Sequence, residues 1–465
     1  MMMLASDGCT TLTKRLEDLH LDVGLDRAPR LIMAFDCRRP LGRGVRMSLA
    51  DVDEVLIGRG CERGWSRADR KLAISVLDPE VSRLHVRLAR KGDGWALQDF
   101  GSKNGTLVGG VRTRRWTLSD GDLIEVGGSM FVYRDHAGDG GCAGDRDLAE
   151  EEDRDRPDVF RTLSLQLERR AADIERIAPT VVPVLVVGET GTGKELVAQA
   201  IHSLSGRRGP FVPVNCGALP RTLVESELFG YRRGAFSGAR EDRPGLARKA
   251  DGGTLFLDEV AELPEESQVA LLRLLQEGEV RPVGSSELVR VDVRVIAATH
   301  QDIAARVDEG RFRRDLYARL AGYEMRVPPL RERREDIGSL IAALLCRLDR
   351  GGGELSLHPR AAAALFAHGY PMNVRELEQA LAAAVALAPG GVIALEHLPR
   401  AMQTAAHSSQ GSLGPEDEAL RAELIGVLRQ NRGNIRATAR MLGKAPTQIR
   451  RWCRRLRVDP DEFRR

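Results

Sequence analysis

Aromatic residues make up only 4% of this 465-residue chain, so its cores have to rely on Leu, Val, Ile and Ala. No run of about 18 apolar residues occurs, which excludes a membrane-spanning helix. The stretch MMMLASDGCTTLTKRLEDLH lacks the apolar centre of a secretory signal. Seven cysteines (Cys9, Cys37, Cys61, Cys142, Cys216, Cys346, Cys453) are scattered without a Cys-x-x-Cys pair. That pattern argues against a disulfide frame or a zinc site and leads us to expect reduced thiols in a cytoplasm. A marked excess of acids or of bases is missing too, with 70 bases against 67 acids for a net +3. What is present is 42% hydrophobic and 29% charged residues, a mix that excludes global disorder and collagen-like structure. The length suits roughly three domains.

The chain divides by pattern. From Val55 to Tyr133, short strand-like runs alternate with Gly, Asp and Ser clusters, as in a β-sandwich. Ala137–Asp158 holds nine acids, three bases and four glycines and reads as a linker. Beyond it, VVPVLVVG, TLFLD and VRVIAAT alternate with helical stretches, the mark of a parallel α/β sheet. An alanine-rich helical block follows, then a polar gap from Thr404 to Pro415. Between Arg432 and Arg457 the last segment carries nine bases and no acid. The expected domains are 31–136, 159–327 with a helical lid at 328–402, and 417–465. Linkers fill 137–158 and 403–416, and 1–30 is unassigned.

Gly188-Glu189-Thr190-Gly191-Thr192-Gly193-Lys194 fits G-x-x-x-x-G-K between an apolar strand and a helix. Backbone N–H groups of such a loop wrap phosphates, and the helix N-terminus adds partial positive charge. Lys194 would reach the β and γ phosphates of ATP. Glu195 stands where a hydroxyl ligand for Mg²⁺ is usual, so the metal would rely on Asp258 and water. Asp258-Glu259 closes the strand TLFLD, which suits a metal ligand followed by a general base for water.

Together with Glu227–Ala239 (ELFGYRRGAFSGA), Phe312–Leu320 (FRRDLYARL), Pro328–Ile337 (PPLRERREDI) and Asn373–Leu377 (NVREL), these motifs resemble bacterial enhancer-binding proteins, the AAA+ activators of sigma-54 RNA polymerase. The resemblance spans about 240 residues. It implies that Gly234, Ala235, Phe236, Ser237, Gly238 and Ala239 press on sigma-54. By the residues alone, Phe236 is a large apolar side chain with nowhere local to bury, between glycines that free the loop tip. The resemblance also implies that Arg313 and Arg319 are arginine fingers acting on a neighbouring subunit's nucleotide, which requires an oligomer up to a hexameric ring. Arg375 matches the second sensor, and Asn215 matches an asparagine that holds the catalytic glutamate away from water. Thr299 and His300 stand at the first sensor, where asparagine is usual. Tyr370 replaces the commoner tryptophan, a packing change.

Gly58-Arg59, Ser82-Arg83-Leu84-His85 and Asn104-Gly105-Thr106 resemble a forkhead-associated (FHA) domain. That implies capture of a phosphothreonine protein or kinase, with charge from Arg59, donors from Ser82 and Lys103, and the peptide backbone fixed by Asn104. His85 would support the Ser82 loop from inside. A receiver-domain pattern of acidic pocket and lysine is missing, so control by an aspartyl-phosphate in this chain is not expected.

Asn434 suits a helix cap, Gly443 a turn and Pro446 a first helical position. Ile449, Trp452, Cys453 and Leu456 fall on one face, and Thr447, Gln448, Arg450, Arg451 and Arg454 on the other. This reads as a helix-turn-helix and resembles the Fis-type domain that ends many of these activators. Thr447 and Arg451 are candidates for base edges, and Arg450 and Arg454 for phosphates. Leu420, Leu424 and Leu428 are candidates for pairing two subunits on DNA. The combined expectation is a phosphoprotein-sensing, ATP-driven activator of sigma-54 polymerase bound to enhancer DNA. Its rival is a phosphopeptide-gated DNA-binding regulator whose nucleotide core is an assembly scaffold. A remodeller of other substrates would have no reason to carry the GAFSGA loop.

Overall fold

The computed structural model describes residues 28–92, 94–135, 144–149, 156–348, 355–388, 390–408, 415–456, 458 and 460–463. These fall into two compact units that divide between Pro399 and Arg400. No helix among the described residues is long and apolar enough to cross a membrane.

The first unit opens with a sandwich of β1 (Arg30–Asp36), β2 (Val45–Ser48), β3 (Glu54–Arg59), β4 (Gly64–Ala68), β5 (Lys71–Val76), β6 (Val86–Lys91) and β7 (Gly94–Asp99). It continues with β8 (Thr106–Val108), β9 (Val111–Thr113), β10 (Arg115–Thr117), β11 (Leu123–Val126), β12 (Ser129–Arg134) and β13 (Arg146–Asp147). One sheet has the order β13-β2-β1-β12-β11-β8-β9, the other β10-β7-β6-β3-β5-β4. Between them lies a core of Leu31, Met33, Val55, Ile57, Leu72, Trp95, Phe131 and other apolar side chains.

Two expectations need correction. The sandwich gains β1 and β2 ahead of the alternating strands. The acidic stretch is not wholly a linker, because Arg146 and Asp147 pair with Arg46 and Val45 and Leu148 is buried. A short piece of it, Arg146–Leu148, reaches an open sheet edge, which composition averaged over 22 residues conceals.

The α/β domain is a parallel sheet of β14 (Val184–Val187), β15 (Phe211–Asn215), β16 (Thr254–Asp258), β17 (Arg294–Thr299) and β18 (Tyr323–Arg326), in the order β15-β16-β17-β14-β18. Parallel strands buried on both faces explain the unbroken apolar runs VLVV and TLFL. Around them lie α1 (Leu165–Ile177), α2 (Lys194–Leu204), α3 (Glu265–Glu277) and α4 (Arg314–Leu320). The lid follows as α5 (Ile337–Leu348), α6 (Pro359–Ala367) and α7 (Asn373–Leu387). Tyr370 is buried in it, and its hydroxyl donates to the Leu365 carbonyl at 2.7 Å.

The second unit holds α8 (Arg400–Ser408), α9 (Pro415–Gln430), α10 (Ile435–Met441) and α11 (Pro446–Arg455). Helix α8 covers part of the stretch expected as a linker. Asn434 caps α10, accepting from the backbone N–H groups of Arg436 and Ala437. Leu424, Leu428, Ala439, Ile449, Cys453 and Leu456 form the core. The expected subunit-pairing leucines are therefore used elsewhere: Leu424 and Leu428 are fully buried and Leu420 packs against the same cluster.

Candidate functional site

The loop from Gly188 to Gly193 leaves the C-terminal end of β14 and starts α2, as a phosphate cradle requires. Gly191 and Gly193 have φ of 78° and 97°, the left-handed region that favours glycine. Gly191 is constrained twice, because a side chain there would also strike the Met372 carbonyl of the lid.

The ammonium of Lys194 donates to the Gly188 carbonyl at 3.0 Å and lies 3.7 Å from the Glu259 carboxylate. Glu259 follows β16 with φ 54°, a left-handed conformation costly for a side-chain-bearing residue and of the kind that clusters at functional sites. His300, at the end of β17, places Nδ1 2.7 Å from the other Glu259 oxygen. Lys194, Glu259 and His300 therefore meet at the C-terminal edge of three adjacent strands. Asp258 is half-buried, and burial together with the Glu259 charge raises its pKa. A divalent cation would offset that like-charge repulsion, so the acid pair fits Mg²⁺, with Asp258 as the ligand. Among the described residues no group of three or more His, Cys, Asp or Glu could hold a metal by itself. Phosphate oxygens and water would have to complete the shell. A cavity of about 570 Å³ opens beside Gly188, Glu189 and His300, within the range of small-molecule sites.

Other members of the expected set lie differently. Asn215 accepts from the Ala218 backbone N–H at 3.1 Å, and in this structure His300 holds Glu259. Thr299 is buried, and its hydroxyl accepts from the Gln301 backbone N–H. Glu195 is exposed in the first turn of α2, facing Gln199. Arg375 sits in the first turn of α7 with its Cβ against Gly191. Arg313 is paired with Asp315 at 2.7 Å, and Arg319 is exposed in the last turn of α4.

Sequence reasoning missed three residues that grip the loop from the lid side. Arg331 forms two hydrogen bonds to the Glu189 carboxylate, at 2.8 and 2.6 Å, which hold its pKa down at about 2. Asn373 donates to Glu189 and to the Thr190 carbonyl. Arg333 donates to the Thr192 carbonyl at 3.2 Å. They lie in the PPLRERREDI and NVREL segments, and their partners are more than 140 residues away in sequence.

The loop 234–239 extends from a two-stranded ribbon of residues 230–231 and 243–244. Arg232 pins its base to Asp242 at 2.6 Å and Glu287 at 2.5 Å. Phe236 does find a local partner, the Tyr231 ring at 5.0 Å, yet stays 39% exposed. Ser237 is exposed beside it.

On the sandwich, three loops meet at one end. The Arg59 guanidinium reaches the Pro79 carbonyl, the Lys103 N–H donates to the Ser82 hydroxyl, and the Asn104 amide donates to the Glu80 carbonyl at 2.8 Å. His85 is fully buried beneath them and its Nδ1 accepts from the Ser82 N–H. Its proton therefore sits on Nε2 and is donated to the Gly105 carbonyl at 3.2 Å. In the second unit, Gln448 and Arg450 are exposed on α11. The side chains of Thr447, Arg451 and Arg454 lie outside the described residues.

Comparison with known proteins agrees with this architecture. Residues 161–326 match the Sigma-54 interaction domain, 331–414 the AAA+ ATPase lid domain and 55–127 the FHA domain. The chain is 47% identical over 297 residues to the response regulator protein PilR of Pseudomonas aeruginosa, covering 62% of this chain and 67% of that protein. It is 44% identical to the Nif-specific regulatory protein of Azotobacter vinelandii and 43% to the transcriptional regulatory protein ZraR of Escherichia coli. Those matches cover 60% of this chain in both cases, and 56% and 64% of the relatives. The crystal structure of NtrX from Brucella abortus in complex with ADP superimposes with a TM-score of 0.51 at 32% identity, covering 64% of this chain and 69% of that one. The architecture is thus an FHA sandwich and an AAA+ α/β domain with its helical lid, followed by a helical carboxy-terminal unit.

Proposed function

The chain belongs to the sigma-54-dependent transcriptional regulator family, and from that premise we propose that it is an activator driven by ATP hydrolysis. The observation that carries this reading is the meeting of Lys194, Glu259 and His300 beside the Asp258 carboxylate, at the strand ends that feed the nucleotide loop.

Lys194 would bind the β and γ phosphates, and Arg375 and the loop N–H groups the rest of the triphosphate. Bound Mg²⁺, held by Asp258, would neutralise charge developing on the phosphoryl oxygens. Glu259 would take the proton of the attacking water. His300 holds that carboxylate until nucleotide and neighbour are in place. Arg313 and Arg319 would complete the site of an adjacent subunit, so turnover needs an oligomer, up to a hexamer. Arg313 must first leave Asp315.

The Phe236–Ser237 tip would transmit each hydrolysis to sigma-54 and open the promoter. The FHA loops would read a phosphothreonine through Arg59, Ser82, Lys103 and Asn104. The basic face of α11 would hold enhancer DNA through Thr447, Gln448, Arg450, Arg451 and Arg454. A cytoplasmic protein fits all of these partners.

Lys194→Ala is expected to abolish hydrolysis and leave DNA binding intact. Phe236→Ala and Ser237→Ala should each keep hydrolysis and lose open-complex formation. Normal hydrolysis by the first variant, or open complexes from both loop variants, would reject the assignments. The scaffold reading is favoured by Glu195 in place of a hydroxyl and by His300 in place of the usual asparagine at the first sensor. It requires nucleotide binding without turnover, so ATP hydrolysis measured with and without DNA separates the two.

A further inference from the structure

The FHA sandwich is joined to the nucleotide site by the face opposite its other sheet. All seven residues of β1 are buried. Leu31 and Met33 fill the sandwich core, whereas Ile32 and Ala34 point outward and are buried nonetheless. Their cover is the ATPase lid. Gly338, in the first turn of α5, lies so close to the Ala34 carbonyl that a side chain there could not fit. The Phe35 ring lies 6.0 Å from Phe366 of α6, and the Leu357 N–H donates to the Cys37 carbonyl.

Charged groups continue the contact inward. Arg134, the last residue of β12, donates to the Glu335 carboxylate at 2.5 Å and to the Glu332 carbonyl at 2.8 Å. Asp336 accepts from the Thr162 hydroxyl and the Leu163 N–H, and the Leu163 carbonyl accepts from Arg46 of β2. Arg333, Glu335 and Asp336 are all buried. Arg333 turns the other way and donates to Thr192 in the nucleotide loop. The seven residues from Leu330 to Asp336 therefore touch the nucleotide loop through Arg331 and Arg333, and the FHA domain through Glu332 and Glu335.

We propose that Arg134 of the FHA domain is a positioning residue for ATP binding. It clamps segment 330–336 so that Arg333 and Arg331 hold the nucleotide loop in its phosphate-wrapping shape. A charge removed at Arg134 frees the segment, the Thr192 carbonyl loses its anchor, and the loop binds triphosphate less tightly. The inference rests on the nucleotide-binding reading alone and not on the phosphothreonine or sigma-54 readings.

The test uses the full chain and a fluorescent ATP analogue. Arg134→Met should raise the Kd for the analogue and the KM for ATP by about tenfold, with kcat changed less than about twofold. Arg333→Met should cause a similar loss, and the double variant no more than either alone, since both act through one clamp. Val55→Ala, in the sandwich core, is the control: it should lower the melting temperature and leave the Kd unchanged. Should the charge left on buried Glu335 prevent folding, Arg134→Met with Glu335→Met removes both partners, keeps the volume and should still bind weakly. Wild-type affinity in the Arg134 variants, additive losses, or an equal loss in Val55→Ala would overturn the proposal. Failure of the unmodified chain to bind the analogue would instead overturn the nucleotide reading on which it stands.

Discussion

The two sheets of the FHA sandwich are built from one chain but meet different surroundings. In the six-stranded sheet, β5 alternates strictly, with Leu72 and Ile74 in the core and Lys71 and Ala73 exposed. In the seven-stranded sheet, β1 has no exposed residue at all. Alternation marks a sheet with one wet face, and a continuous apolar run marks one covered on both. The loops bearing Arg59, Ser82 and Asn104 meet at one end of the domain, and the lid packs against β1 and β12 on the outer face of the seven-stranded sheet. The domain thus has one free end and one flank buried against the ATPase.

The sharpest break of this contrast is Ile32→Asp. Ile32 is 1% exposed, pairs with Val132 and faces away from the sandwich core. A carboxylate there is buried without a partner and should cost about 4 kcal/mol or more. Urea unfolding of the full chain measures it. A loss below about 1 kcal/mol would mean that the lid does not cover this face in solution.

Glu125 sharpens the same point through pH. Its neighbours Ile124 and Val126 belong to the core, so its carboxyl lies on the outer face, yet it is 9% exposed. Burial raises its pKa to about 7, offset in part by the Gly110 N–H. A raised carboxyl pKa means that the folded state holds the proton more tightly than the unfolded state. Stability should therefore fall as pH rises from about 4.5 to about 7, by about 3 kcal/mol, and level off above. Glu125→Gln should flatten that slope. An unchanged pH profile in this variant would place the carboxyl in water.

Much of this was legible beforehand and some was not. The nucleotide loop, the acid pair and the FHA loops are local motifs, in which spacing carries the geometry. The covered flank is not local. The run RLIMAFD has no alternation to read, and Arg46 and Arg134 look like ordinary solvated bases until Leu163 and Glu335 arrive from distant segments. The hold of His300 on Glu259 was equally invisible, because it depends on the side-by-side placement of β16 and β17 rather than on either segment.

The free end of the domain should respond in function and not in stability. Arg59 is exposed at the end of β3, and its hydrogen bond to Pro79 is a long 3.4 Å. Arg59→Ala should weaken binding of a phosphothreonine peptide at least about tenfold, because a charge-assisted contact is lost. The unfolding free energy should change by less than about 0.5 kcal/mol. Calorimetry with phosphorylated and unphosphorylated peptides checks the first statement. Equal binding of the two peptides would remove the phosphate from the reading.

The smallest effect is expected where the contrast is most literal. Ala73 occupies an outward position on β5, as Ile32 does on β1, but is exposed, with Leu72 and Ile74 on either side filling the core. Ala73→Asp introduces the same carboxylate as the change at Ile32. Here the charge stays hydrated, and the cost is limited to the weaker strand preference of Asp, about 0.5 kcal/mol. If the two aspartates destabilised the chain equally, both outer faces would be equally covered or equally bare. The large excess expected at Ile32 measures what the lid adds to one flank of the FHA domain.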